Sequence, residues 1–353
     1  MSSEKNIGEV EKTSKAASKI LDLPDVVDFL QTGCTVLDFA IANRFPGGIP
    51  IGRIVQIFGG SSTCKSVIAS SILGYAQRAK MGAYYGDIEH TLDPRFAGFY
   101  GLDFKKLSNV SDFDVDDAFP ETIEEFFDVW LSQIVFKDKK CTQLDKKPKI
   151  VVTDTITALP AKIEASKNMD DQGYGAYRAK QLSLGYRKYL KALSYSNTTL
   201  VVIDQTRDKF GSIFGGESVP GGRAQEFYPS VRIHLKHGAH IKNSKDKIEG
   251  IWTNFKAVKN KVGPPFRDGQ FAILFDYGMD DIESSLYFLS ETQNGPQKAR
   301  NKTQHIHLWD DDKQMKPWRK HIEENNLEGK LKEEVWRIWQ EVYKSEVRKP
   351  RVW

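Results

Sequence analysis

The stretch from Arg53 to Ser66, RIVQIFGGSSTCKS, constrains the fold of this chain more than any other. Ile54, Val55, Ile57 and Phe58 form a short apolar and largely β-branched run, the pattern of a buried strand. Gly59, Gly60, Ser61, Ser62 and Thr63 are turn-forming residues, and beyond Lys65 and Ser66 an Ala/Ile/Leu-rich helical pattern runs to about Lys80. Strand, Gly-rich turn, Lys-Ser and helix make the layout of a phosphate-binding loop. Backbone N–H groups between Gly59 and Val67 would cradle phosphates. Lys65 would reach the β- and γ-phosphates, and the Ser66 hydroxyl would hold Mg²⁺. The pattern calls for Gly just before the Lys, where this chain has Cys64. Taken alone, the stretch reads equally as a Gly/Ser turn with no ligand.

With 353 residues the chain has room for a large α/β domain with an appendage, or for two domains. No apolar run approaches the roughly 18 residues of a membrane span, and MSSEKNIGEVEK lacks the apolar core of a signal peptide. The expected location is intracellular. Cys34, Cys64 and Cys141 have no metal-ligand spacing and suit a reducing compartment. A net charge of +4 permits nucleic-acid binding without arguing for it.

Residues 1–30 read as a polar arm with a thin apolar face over Ile7–Leu21, and a core begins near Gln31-Thr32-Gly33. Strands are predicted at Gly82–Glu89, Lys149–Asp154, Thr199–Ile203, Val231–Lys236, Thr253–Lys261 and Phe271–Phe275. Residues 121–136 are amphipathic, with Ile123, Phe126, Phe127, Trp130 and Ile134 near one face. Helices are predicted over 36–41, 121–136 and 176–194. Strands alternating with helices through the first 205 residues argue for βαβ units and a mainly parallel, buried sheet. From about residue 280 the composition turns polar, closing with a helix over Leu331–Tyr343.

Three predicted strands end in polar residues: Asp87 and Glu89, Asp154 and Thr155, Asp204 and Gln205. In a parallel sheet those ends lie together at the ligand edge. Asp154 has the form of the carboxylate that holds Mg²⁺ directly or through water. Glu89 is placed to orient or deprotonate an attacking water, and Gln205 has an amide to sense a γ-phosphate. Each acid alone would pass for a helix cap or a solvated loop residue.

Taken together, the segments QTGCTVLDFAIA, GGIPIGRIVQIFGGSSTCKS, GDIEHTLDP, KIVVTDTITAL, SNTTLVVIDQTR, FGSIFGG…GGRAQEFYPSVRI and VKNKVGPPFRDGQFAILFDYG resemble, in order, the RecA-type homologous recombinases. Some features are closer to the phage UvsX branch. The resemblance runs from about Thr32 to Gly278. It implies a RecA-like P-loop NTPase core over 31–280 with a mainly parallel central sheet, a short N-terminal oligomerisation arm over 1–30 and a small helical C-terminal domain over 281–353. By the same resemblance Glu89 is the catalytic glutamate, acting with Lys65 and Gln205. Asp93 and Phe96 contact adenine, and Lys259 and Lys261 reach the nucleotide of a neighbouring protomer. Read without the family, those lysines are an exposed basic strand end.

The Gly-rich segment Thr206–Gly222 is too long for a packed connection. It joins Arg207 and Lys209 to Phe210, Ile213 and Phe214 and closes with Gly221 and Gly222. Charge beside apolar wedges suits single-stranded DNA. The resemblance places the second DNA loop here and the first at 161–178. It sets Tyr174 where the family has a wedging methionine, and Ser183 and Arg187 at DNA-backbone contacts. ATP and Mg²⁺ are the implied cofactors. Single-stranded and homologous double-stranded DNA and a homo-oligomeric helical filament are the implied partners, with no membrane. The alternative is a RecA-fold accessory protein that binds ATP and DNA without efficient hydrolysis or strand exchange.

Two departures stand out. At a position that needs positive φ, Cys64 costs roughly 1–2 kcal/mol. Beside Lys65 at a helix N-terminus, its thiol is expected to have a lowered pKa, to alkylate readily and to be protected by Mg-ATP. The other is the basic end KSEVRKPRVW, which replaces the acidic tail common in bacterial RecA. Lys298, Arg300, Lys302 and the 309–320 region would contact duplex DNA or form a solvated basic face.

Overall fold

The computed structural model describes residues 28–90, 92–108, 120–138, 140–165, 175–208, 217–296 and 304–344. Ile7–Leu21, Tyr174, Lys209, Phe210, Ile213, Phe214, Lys298, Arg300, Lys302 and residues 345–353 lie outside them.

The apolar runs assemble as strands of one eight-stranded sheet. In chain order these are β1 (Ile54–Gly59), β2 (Gly82–Asp87), β3 (Lys149–Asp154), β4 (Thr198–Gln205), β5 (Val231–Lys242), β6 (Ile248–Asn260), β7 (Asp268–Leu274) and β8 (Gly278–Asp280). Their spatial order is β8-β7-β6-β5-β1-β4-β3-β2. Strands β2, β3, β4, β1 and β5 run parallel, and β6, β7 and β8 continue the sheet antiparallel. The sheet is thus mainly parallel, and its central strands are apolar on both faces because both are covered.

Alternation divides those side chains between two cores. Val55, Ile57, Ile150, Val152, Val201 and Ile203 face one, while Ile54, Val151, Leu200 and Val202 face the other. The first core is closed by helices α1 (Thr35–Ala42) and α2 (Lys65–Arg78), with Leu37, Ile41, Ile68 and Ile72 fully buried. The second is closed by residues 123–135 and by α3 (Gly175–Tyr195), which contributes Leu182, Tyr186, Tyr189 and Leu193.

The amphipathic stretch at 121–136 buries the face expected of it but is not one regular helix. Ile123–Glu125 and Ser132–Val135 are α-helical, and Phe126–Leu131 between them is a π-helix. The Ser132 hydroxyl takes part by donating to the carbonyls of Asp128 and Val129, both at 2.8 Å. The Phe127 ring lies so close to Gly185 of α3 that a Cβ there would stand 2.2 Å from it.

Strands β5 and β6 run well past the predicted Val231–Lys236 and Thr253–Lys261. Polar residues such as His240 and Lys242 continue the ladder into a long hairpin, where backbone pairing rather than burial sustains the strand.

Beyond β8 come α4 (Asp281–Asn294), a hairpin of His305–Leu308 with Asp311–Gln314, α5 (Met315–Asn325) and α6 (Glu328–Val342). Asp280 caps α4 by accepting from the Glu283 N–H at 3.1 Å, and it also pairs with Arg319 of α5. Trp318 and Trp339 are among the largest fully buried side chains and belong to the first core. Trp339 packs 5.7 Å from Phe288 and 6.2 Å from Phe39 of α1, and its indole N–H donates to Asn43 Oδ1 at 3.2 Å. Among the described residues no helix is long and apolar enough to cross a membrane.

Candidate nucleotide site and nucleic-acid segments

The loop from Gly59 to Cys64 joins the C-terminal end of β1 to the first turn of α2. Only Gly fits at position 59, since a Cβ there would stand 2.3 Å from the Leu235 carbonyl of β5. Ser62 and Cys64 have φ of 57° and 62°. Cys64 therefore occupies the left-handed conformation that the phosphate-loop pattern assigns to Gly. The Thr63 hydroxyl donates to the Gly60 carbonyl at 2.9 Å. Lys65 Nζ lies across the loop, donating to the carbonyls of Gly60 at 2.7 Å and Gly59 at 3.1 Å. Burial lowers the Lys65 pKa, and the charges of Asp154 and Glu89 oppose that shift.

Burial works against the low thiol pKa expected of Cys64. The side chain is half-buried, and burial pushes its thiol up to about 11, outweighing the attraction of Lys65 for a thiolate. A nearby cation still favours the thiolate, but here desolvation is the larger effect.

Asp154 ends β3 beside the loop. Its Oδ2 accepts from Ser66 Oγ at 2.7 Å and from the Tyr85 hydroxyl at 3.2 Å, and burial raises its pKa. The N–H groups of Ile88 and Glu89 both donate to the Asp154 carbonyl, at 2.9 and 3.2 Å. That turn sets the exposed Glu89 beside the same strand end. Partial burial, and then the charge of Asp154, raises the Glu89 pKa. Asp87 has a structural task, accepting from the Leu92 N–H at 2.9 Å. Gln205, the last residue of β4, donates its amide to Ser61 Oγ in the loop. Among the described residues there is no cluster of three or more His, Cys, Asp or Glu able to chelate a metal. The Ser66–Asp154 hydroxyl–carboxylate pair nonetheless fits Mg²⁺, which relies on few protein ligands together with phosphate oxygens and water.

Asp93 caps the short helix Pro94–Phe99, accepting from the Arg95 N–H at 2.8 Å. Its hydrogen bonds with Arg95, side chain and backbone, hold its carboxyl below the usual range. Phe96 is half exposed, its ring 6.3 Å from Phe99. Val67 lines a cavity of about 610 Å³ that residues 62–66 of the loop share with Tyr100, His237, Ile273 and Phe275. Neither Tyr100 nor Phe275 belongs to a recognisable site motif in the sequence. The signal available was the aromatic Phe275 at the end of a predicted strand.

Lys259 and Lys261 stand at the far end of the sheet from this loop. Asn260 pairs with Val231, and Val231 with Val55 at the start of β1, whereas the loop begins at Gly59. Four strand residues, about 13 Å, separate the two ends. Lys259 Nζ donates to the carbonyls of Glu226 and Phe227 at 2.8 and 2.6 Å, and both lysines lie 5.9 Å from the exposed Phe227 ring. Burial, and then the charge of Lys261, pushes Lys259 down to about 8.

Around the nucleic-acid segments, Arg187 is exposed on α3, and Ser183 Oγ lies 3.3 Å from the Tyr228 hydroxyl. Arg178, which no local motif marks, pairs with Glu164. Arg207 and Ser218 face one another in a short antiparallel bridge that brings the ends of the second segment together. Gly221 and Gly222 have φ of 93° and 71°. Asp204, noted from sequence only as a strand end, is fully buried with a pKa pushed up by burial to about 6.

A strand–loop–helix phosphate cradle at the edge of a mainly parallel sheet, with acids at the neighbouring strand ends, defines the class of P-loop nucleotide-binding proteins. Within that class, the RecA N-terminal domain family matches residues 4–280. The chain is 36% identical over 270 residues to Protein RecA of Thermus aquaticus, covering 76% of this chain and 73% of that one. It is 33% identical over 274 residues to Protein RecA of Clostridium perfringens (strain 13 / Type A), covering 77% and 71%. The chain belongs to the RecA family, as a RecA-type recombinase.

Proposed function

We propose that this protein is a DNA-dependent ATPase that assembles head to tail on single-stranded DNA in the cytoplasm and promotes homologous pairing and strand exchange. The observation that carries this reading is the bond from Gln205 to Ser61. It joins the phosphate loop directly to the residue from which the 206–222 segment departs, so occupancy of the loop is felt where DNA would bind.

Residues Gly59 to Val67 cradle the triphosphate, with Lys65 leaving the carbonyls of Gly59 and Gly60 to meet the β- and γ-phosphates. Ser66 and Asp154 hold Mg²⁺, which neutralises phosphate charge when bound. Glu89 acts as general base on the attacking water, and its raised pKa makes it a better proton acceptor. Asp93 and Phe96 serve the adenine. Lys259 and Lys261 act on the nucleotide of the next protomer, consistent with their place at the end of the sheet remote from their own loop. Tyr174, Ser183, Arg187, Arg207, Lys209, Phe210, Ile213, Phe214, Gly221 and Gly222 contact the single strand. Strand exchange is then base pairing within the filament, and hydrolysis releases the product.

ATP turnover with and without single-stranded DNA tests the reading. Wild type should be stimulated by DNA. Glu89→Gln should lose turnover by about a hundredfold or more while keeping ATP-dependent DNA binding. Turnover indifferent to DNA would instead identify an ATP- and DNA-binding accessory protein.

A further inference from the structure

A hydrogen-bonded network runs beneath the nucleotide site, centred on the Asp204 carboxylate. Its Oδ2 accepts from Gln56 Nε2 at 2.7 Å, and its Oδ1 accepts from the hydroxyls of Thr155 and Thr157, both at 3.0 Å. Gln56 Oε1 in turn accepts from Arg232 Nε at 2.6 Å. On the far side, Gln225 Oε1 lies 3.5 Å from Gln56 Nε2 and accepts from the Tyr186 hydroxyl at 3.0 Å.

Several members come from elements that flank the two nucleic-acid segments. Thr157 belongs to the turn Ile156–Ala158, ahead of the helix Lys162–Ala165. Gln225 lies in the helix Ala224–Phe227, just past Gly221 and Gly222. Tyr186 adjoins Arg187 on α3. A Cβ built on Gly221 would stand 3.1 Å from the Thr157 methyl and 3.2 Å from Gln225 Cγ, so the exit of one segment packs on the entry of the other.

Burying a carboxylate that reaches the Arg232 guanidinium through the Gln56 amide costs stability that apolar side chains would not cost. The Gln225 amide nitrogen is buried with no hydrogen-bond partner among the described residues. It leaves the network a donor that only another arrangement can use.

We propose that Asp204 is a positioning residue that couples the nucleotide site to the DNA-binding segments, holding Thr155 and Thr157 on one side and the Gln56–Gln225 pair on the other. When Gln205 is drawn to or released from the phosphate loop, its neighbour Asp204 carries the shift to both segments. The inference rests on the ATPase reading above, and its test separates the two.

The full chain is followed by amide hydrogen exchange with and without Mg²⁺ and a non-hydrolysable ATP analogue, in wild type, Asp204→Asn and Thr157→Val. In wild type the analogue should slow exchange at both Ile156–Ala158 and Ala224–Phe227. Asp204→Asn should bind the analogue within about twofold of wild type, yet neither segment should respond. Its stimulation by single-stranded DNA should fall by about tenfold, as expected for losing a bond to a charged group, with DNA-independent turnover retained. Thr157→Val should show the same loss in part. Segments that respond in Asp204→Asn as they do in wild type overturn the proposal, as does a wild type in which neither responds. If Asp204→Asn does not fold, Thr157→Val decides: a full response overturns the coupling, and a weakened one supports it. A wild type that is not stimulated by DNA but shows the Asp204-dependent response keeps the coupling and removes the recombinase reading.

Discussion

At residue scale, Cys64 shows how one position can follow the backbone rule and break the side-chain rule. The phosphate-loop pattern asks for Gly, and φ of 62° explains why. That requirement is local, so it is legible in sequence. The thiol is set by what packs over it, which is not. With its pKa pushed up to about 11, Cys64 is a poor nucleophile at neutral pH. Iodoacetamide at neutral pH followed by peptide mass mapping should label the exposed Cys141 first, Cys64 more slowly, and the fully buried Cys34 only on unfolding. Mg-ATP should slow Cys64 further. Labelling of Cys64 as fast as that of Cys141 would contradict the buried-thiol account.

At the scale of elements, the packing of α3 on the π-helical stretch Phe126–Leu131 makes Gly185 the tightest point of the second core. Adding a methyl there drives it into the Phe127 ring. Gly185→Ala should cost about 1–3 kcal/mol despite a gain in helix propensity, measured by urea unfolding; a stabilised variant would mean that the ring yields freely. The amphipathic face of this stretch was readable because Ile123, Phe126, Phe127, Trp130 and Ile134 recur at helical spacing. The π-helical turn was not, because spacing cannot distinguish it from α over so few residues. The same contrast separates the strands. Ile54–Gly59 and Lys149–Asp154 announce themselves as apolar runs, whereas β5 and β6 outrun their apolar portions because a hairpin ladder needs only backbone partners. Helix α4 went unread because it buries Ser284, Ser285 and Ser290 beside Leu286 and Leu289, blurring its period. Of the site, the loop, Glu89, Asp154 and Gln205 were legible as local motifs at strand ends. Tyr100, Phe275 and the Asp204 network required the sheet order that brings them together.

At the scale of the whole molecule, the C-terminal helices share the core of the sheet through Trp318 and Trp339 rather than a core of their own. Truncating Trp339 should therefore weaken the entire chain. Trp339→Ala should cost about 3–5 kcal/mol and leave a single transition, with circular dichroism and tryptophan fluorescence coinciding. Two separated transitions would show that residues 281–344 unfold by themselves. The placement of Lys259 and Lys261 opposite the phosphate loop reaches further still. If the lysines act on a neighbour as proposed, a subunit would offer a donor face at one end and an acceptor face at the other, a heterologous contact that need not close on itself. A row of such subunits has direction. Its leading member would hold a nucleotide no neighbour has sealed, its trailing member would hold lysines with nothing to seal, and complete sites would number one fewer than subunits. Growth and loss then need not occur at the same end, and the first two subunits to meet build the first working site.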